Sequence, residues 1–310
     1  MTYQVLSYQS DTGPRAGLRI GEQIYDAAAL SGEPAYATVI GALQQWNTAD
    51  SAFRAAELRM TSGQNVRSVQ AIADARLLAP VLFPGAIYCA GANYLDHVQE
   101  MDKVLGHGKS PTLKELGELP WHFLKTPCTS VLGPGSVVNL PAYSKSVDWE
   151  IELVAVIGRT AKDVPVQRAL EYVAGYTIAN DLSARDALIR TKTPASMPFR
   201  FDWVSSKNFD GSCPLGPWIT PASDIGDPHN LALKLWVDGV LMQDSNTSQM
   251  IFDTAEQIAA ISSRVTLHPG DLVLTGTPAG VGLPRNVFLK AGQTVKLWVE
   301  KIGEFDHSIA

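Results

Sequence analysis

Along the first 30 residues the apolar positions fall in short extended runs. Leu18-Arg19-Ile20 and Gln23-Ile24-Tyr25 are two of them, with Gly21-Glu22 between as a two-residue hairpin turn. From Tyr36 to Trp46, and again from Ala52 to Met60, Ala, Leu and Gln take helical spacing. Leu77-Leu78-Ala79-Pro80 returns to extended chain. Pro80 and Pro84 stiffen that junction, which divides a small N-terminal domain, residues 1–80, from a main body, residues 81–310. A short strand over 86–89 follows, then a short helix from Asn93, its N-cap, to Met101. Residues 102–120, punctuated by Gly106, Gly108, Pro111, Gly117 and Pro120, have the composition of a mobile lid.

Later elements carry clearer local signals. Pro165 opens a helix with the stripe Val166, Ala169, Leu170 and Val173, ended by Gly175. The strand Tyr176-Thr177-Ile178-Ala179 delivers Asn180-Asp181 at its end, and Leu182 to Asp186 starts a turn or helix. Leu231 to Val237 alternates as a strand before the hairpin signal Asp238-Gly239. Asp253-Thr254-Ala255-Glu256 is a capping-box start, with Ile258 and Ile261 on the buried stripe. The last extended segments are 271–275 and 294–299.

The chemistry gathers around one strand, Val147 to Gly158. It is rich in branched apolar residues, yet Asp148, Glu150 and Glu152 recur at a two-residue period and should share a face. No Lys or Arg lies within the run to balance them. A hard divalent cation would do so, and a solvated strand face is the plainer alternative. His97 and Glu100, three apart, are neighbours on their helix, either as a general base with its orienting carboxylate or as an exposed surface pair. The loop from Leu274 to Gly282 offers amides and hydroxyls to an anion, or is a plain Gly/Pro turn; its glycine spacing matches neither a P-loop nor a dinucleotide fingerprint.

Composition narrows the classes. With 45% hydrophobic and 18% charged residues the chain is an ordinary globular protein, and a net charge of −6 leaves no basic footprint for nucleic acid. No apolar run suits a membrane span and no signal pattern opens the chain, so a cytoplasmic setting is expected. Cys89, Cys128 and Cys213 are widely spaced, as free thiols would be.

Five motifs in order resemble the fumarylacetoacetate hydrolase family: Gly91-x-Asn93-Tyr94-x-x-His97-x-x-Glu100-Met101, Asp148-x-Glu150-x-Glu152-Leu153, Asn180-Asp181-x-Ser183-Ala184-Arg185-Asp186, Lys207-x-Phe209-Asp210 and Thr275-Gly276-Thr277-Pro278-x-Gly280-Val281-Gly282. They span roughly residues 85–282. The resemblance implies an α+β, β-rich fold, a mixed β-sheet roll with a small N-terminal domain, assembled as a homodimer. It implies that Glu150, Glu152 and Asp181 bind Mg²⁺ (or Mn²⁺ or Ca²⁺), with Asp148 behind them. It also implies a His97/Glu100 dyad that activates water, Lys207 at the developing oxyanion, and Arg185, Thr277 and Gly276 at the substrate. The activity implied is hydrolysis of a C–C bond in an acylpyruvate or other 2,4-diketo acid from aromatic or sugar-acid breakdown, through an enolate held on the metal. Oxaloacetate-type decarboxylation and keto–enol isomerisation share that scaffold, and a silent metal-binding protein is the reading from outside enzymology. Two features depart from the family pattern: a long segment between Asp186 and Lys207, and Ala92 where some members carry a basic residue.

Overall fold

The structure, a computed structural model, describes residues 3–62, 68–106 and 108–310. Its centre is a twelve-stranded sheet with the strand Ile151–Ile157 near the middle, antiparallel to Val173–Asn180 on one side and Leu272–Leu274 on the other. Beyond Val173–Asn180 the sheet continues through Cys213–Pro221 to Gln4–Ser10 and the N-terminal hairpin. Beyond Leu272–Leu274 it continues through Ile87–Ala90, which pairs parallel, to His122–Lys125. A second sheet of five strands holds Val240–Asn246, Ala232–Val237, Thr294–Val299, Gly303–Ile309 and Val137–Val138. The fold is therefore β-rich α+β with mixed sheets.

Every residue of Ile151–Ile157 is buried, because the strand has a core on each face. Leu153, Ala155 and Ile157 point toward the second sheet, where they share a core with Leu233, Leu235, Val295 and Leu297. Val154 and Val156 point the other way, toward Tyr3, Val5, Phe53 and Leu274. The helix Trp46–Thr61 supplies Phe53 to that second core, so the first 80 residues and the remainder pack on common ground. Cys89 and Cys213 are buried with burial pushing both thiols up, Cys213 to about 12, while Cys128 is exposed.

Local signals hold where the interaction is local. Gly21-Glu22 closes its hairpin between Ile20 and Gln23. Asp238 and Gly239, both at positive φ, turn the chain between Val237 and Val240. Asp253 and Glu256 form the capping box of Thr254–Arg264, with Ile258 and Ile261 buried.

Four expectations change. The acidic run is not one strand: Val147–Asp148 pairs with Ser183–Ala184, and the ladder resumes at Ile151. Between them the Trp149 N–H donates to Asp148 Oδ1 and the Glu150 N–H to Asn180 Oδ1, so side chains replace ladder partners. Asn93 does not cap the following helix, which is Leu95–Leu105 with Tyr94 at the N-cap. Its amide instead donates to the Phe252 and Thr275 carbonyls and accepts from the Phe252 N–H, tying three segments together. That helix extends four residues past Met101, to a left-handed Gly106, into the stretch expected to be irregular; His107 of the expected lid lies outside the described residues. Finally, Val166–Tyr172 is a 3₁₀ helix, and Val173 already belongs to the next strand. Among the described residues no helix is long and apolar enough to cross a membrane.

Candidate metal centre and active site

Glu150, Glu152 and Asp181 meet where the interrupted acidic segment faces the end of Val173–Asn180. Each offers an oxygen, all within 4.8 Å of one another, and all three side chains are buried. Hard oxygen donors converging this closely fit Mg²⁺, Mn²⁺ or Ca²⁺. Asp148 does not join them. It accepts from the Gly282 and Leu283 N–H groups at 2.6 and 3.0 Å and from Arg185 Nε at 2.9 Å, and so pins the glycine-rich loop.

Four acids packed this way would repel one another, and cations from elsewhere in the chain surround them. Lys207, on the short helix Trp203–Lys207, lies 2.7 Å from Glu150 Oε2 and 2.8 Å from Asp181 Oδ2. Arg185 reaches Asp148 and Glu150 together. Lys125, which the sequence reading passed over, is fully buried and donates to the Leu182 and Lys207 carbonyls. Its Nζ is also 2.9 Å from Asp181 Oδ1, an ion pair by distance but off the angle of a hydrogen bond.

The charges are not evenly settled. Burial works against ionising Glu150, but Lys207 and Arg185 outweigh it and hold the carboxyl down at about 2. Glu152 lacks such a partner: burial, then the neighbouring Asp181 and Glu150, push its carboxyl well above the usual range, although the Gly276 N–H donates to its Oε2 at 2.6 Å. Of the three candidate ligands, Glu152 therefore most needs a cation. Gly276, expected at the substrate, thus holds Glu152 through its backbone.

A cavity of about 180 Å³ opens beside the triad and is lined by Glu150 of the three. Glu150, Arg185, Lys207, Thr277 and His97 form its polar end, and Trp121, Phe123 and Trp203 its aromatic wall. Trp121 and Trp203 are 4.7 Å apart between ring centroids, and Lys207 Nζ sits 4.9 Å from the Phe123 ring. Gly91 is required here, since a Cβ would lie within 2.4 Å of the Trp121 ring. The long segment after Asp186 thus supplies Trp203 to the pocket wall.

His97 and Glu100 share a helix, but no His97–Glu100 hydrogen bond forms. Glu100 accepts from the Gly280 N–H at 2.9 Å, and His97 Nδ1 is buried with no partner among the described residues. Burial pushes His97 down to about 4, so the imidazole is neutral. Gln243, fully buried, bridges the Ile151 N–H to Thr277; His307 bonds Asn180. Neither has a motif signal, because their partners are distant in sequence.

The fumarylacetoacetate (FAA) hydrolase C-terminal family model matches residues 86–310. An oxaloacetate tautomerase of Xenopus laevis, fahd2, mitochondrial, is 36% identical, over 100% of this chain and 91% of its own. Among solved structures, a 5-carboxymethyl-2-hydroxymuconate delta-isomerase from Mycobacterium smegmatis superposes with TM-score 0.71 at 32% identity, covering 99% of this chain and 98% of that one. A maleylpyruvate hydrolase from Sphingobium sp. SYK-6, in complex with manganese(II) and pyruvate, gives TM-score 0.74 at 28% identity, covering 99% and 98%. The chain belongs to the fumarylacetoacetate hydrolase family.

Proposed function

We propose that this protein is a divalent-metal-dependent enzyme that interconverts the keto and enol forms of a small 2-oxo acid of the oxaloacetate class. The observation that carries this reading is the cavity itself. Glu150 of the candidate ligand triad, a neutral imidazole, a guanidinium and an ammonium line a cavity of about 180 Å³, small enough to suit a compact acid. Enolisation needs one proton carrier and a stabilised oxygen; it needs no water held by a second carboxylate. The tautomerase relative supports the same choice.

Glu150, Glu152 and Asp181 would hold a divalent ion, which would supply Lewis acidity toward a 2-oxo group. Neutral His97 takes the proton from C3, the C–H electron pair becomes the C2–C3 double bond, and the carbonyl pair moves onto oxygen. Lys207 sits beside two of the ligands, placed to stabilise that oxygen as its charge develops. A proton delivered to that oxygen, from His97 or from water, completes the enol, and return of a proton from His97 to C3 restores the keto form.

Hydrolysis of a C–C bond in an acylpyruvate-type acid is the second reading. The His97/Glu100 spacing and the maleylpyruvate hydrolase neighbour favour it. The two are separated by following ketonisation of enol-oxaloacetate and cleavage of simple acylpyruvates with saturating Mg²⁺ or Mn²⁺. Accelerated tautomer exchange without diketo-acid cleavage is expected. Cleavage of an acylpyruvate with tautomer exchange at the uncatalysed rate would replace the first reading with the second.

A further inference from the structure

Gln243 lies on the Val240–Asn246 strand and reaches both the metal-ligand segment and the glycine-rich loop. Its Oε1 accepts a 3.0 Å hydrogen bond from the Ile151 N–H, one residue past Glu150. Its Nε2 donates to Thr277 Oγ1 and to the Pro278 carbonyl, both at 2.9 Å. A backbone N–H can only donate and a carbonyl can only accept, so the amide of Gln243 has one workable orientation. Both Nε2 hydrogens are then in use, one of them on the Thr277 hydroxyl.

That hydroxyl accepts from behind, and its own proton must point elsewhere. Among the described residues nothing accepts it. Thr277 is buried, and it lines the cavity with Lys207, Arg185 and His97. The loop packs closely on the same strand: at Gly280, φ 101°, a Cβ would meet the Met242 carbonyl at 2.2 Å.

We infer that Gln243 is a positioning residue that makes Thr277 a dedicated hydrogen-bond donor to an anionic oxygen of the bound acid. The inference deepens the reading above, on which it rests. Gln243 never touches the substrate. It polarises Thr277 so that the site favours a deprotonated oxygen over a group that would itself donate.

The test is a double-variant cycle read by calorimetric binding of oxalate to Mg²⁺-saturated protein. Thr277→Val should weaken oxalate by about ten- to a hundredfold, the range for a hydrogen bond to a charged group, and Thr277→Ser should restore it. Gln243→Glu presents only acceptors, draws the Thr277 proton away from the cavity, and should cause a comparable loss. In the Thr277→Val background the same change should cost almost nothing. Melting curves establish that each variant folds. If Gln243→Glu does not fold, Gln243→Met makes the same comparison, with a smaller loss beside Thr277 and none beside Val. Losses that multiply in the double variant, or oxalate affinity unchanged in the Gln243 variants, would overturn the positioning role. Wild-type protein that binds no oxalate would instead overturn the 2-oxo acid reading, and the inference with it.

Discussion

Lys125 Nζ lies 2.9 Å from Asp181 Oδ1, and neither side chain reaches solvent. The same ammonium donates to the carbonyl of Lys207, so one buried cation ties a candidate metal ligand to the helix carrying the candidate oxyanion stabiliser. Without Lys125, Asp181 would keep, among the described residues, only Lys207, which Glu150 also engages, and two buried carbonyls would lose a donor. Lys125→Met should therefore cost about 3–5 kcal/mol of stability, measured as a shift of the urea midpoint. A midpoint within error of wild type would show that Lys207 alone balances Asp181.

Signals that span a few residues are legible in the sequence, and those that span a hundred are not. The capping box at Asp253 and the turn at Asp238-Gly239 are local, and both form as read. Glu150 and Glu152 stand out as acids at a two-residue period, which a solvated face would also explain, and Asp181 is legible only through the family motif. Their counter-charges are not: Lys125 and Lys207 lie 56 and 26 residues from Asp181, and ordinary surface lysines look the same in sequence. Asn93 misleads for a related reason. Its residue type suits an N-cap, but tertiary partners at Phe252 and Thr275 take both of its donors and one acceptor site.

Glu152 and Asp181 should separate metal binding from folding. Glu152 is pushed toward its neutral form by burial and two acidic neighbours, so Glu152→Gln should leave stability nearly unchanged or raise it slightly. It should nonetheless abolish most Mn²⁺ affinity. Asp181→Asn removes the partner of both Lys125 and Lys207 and should lower stability as well. Mn²⁺ titration followed by spin resonance, beside thermal melts, reads both. Equal destabilisation in the two variants would contradict the charge assignment.

Acid should destabilise the fold before the ordinary surface carboxylates protonate. Burial holds His122 and His307 at about 4, below the ordinary 6.5. Asn180 Oδ1 already accepts the Glu150 N–H, so its Nδ2 faces His307 Nε2, which must accept. Protonation there would set donor against donor. Between pH 6.5 and 4 the unfolded chain binds these protons and the folded chain does not, so stability falls as pH drops through that window. Each group contributes at most about 3 kcal/mol. Urea midpoints at several pH values should show the decline, and His307→Gln should flatten it; a slope unchanged by that substitution would contradict a neutral His307.

The central claim is that His97, beside the carboxylate triad, moves a proton at C3 of a 2-oxo acid. Exchange of the C3 protons of oxaloacetate in deuterated buffer, followed by NMR at saturating Mg²⁺, tests it directly. Wild-type protein should accelerate the exchange, His97→Ala should lower that rate by about 10²–10⁴-fold, and Glu152→Gln should remove the acceleration. Exchange that survives His97→Ala undiminished, or proceeds equally in excess chelator, would contradict the account.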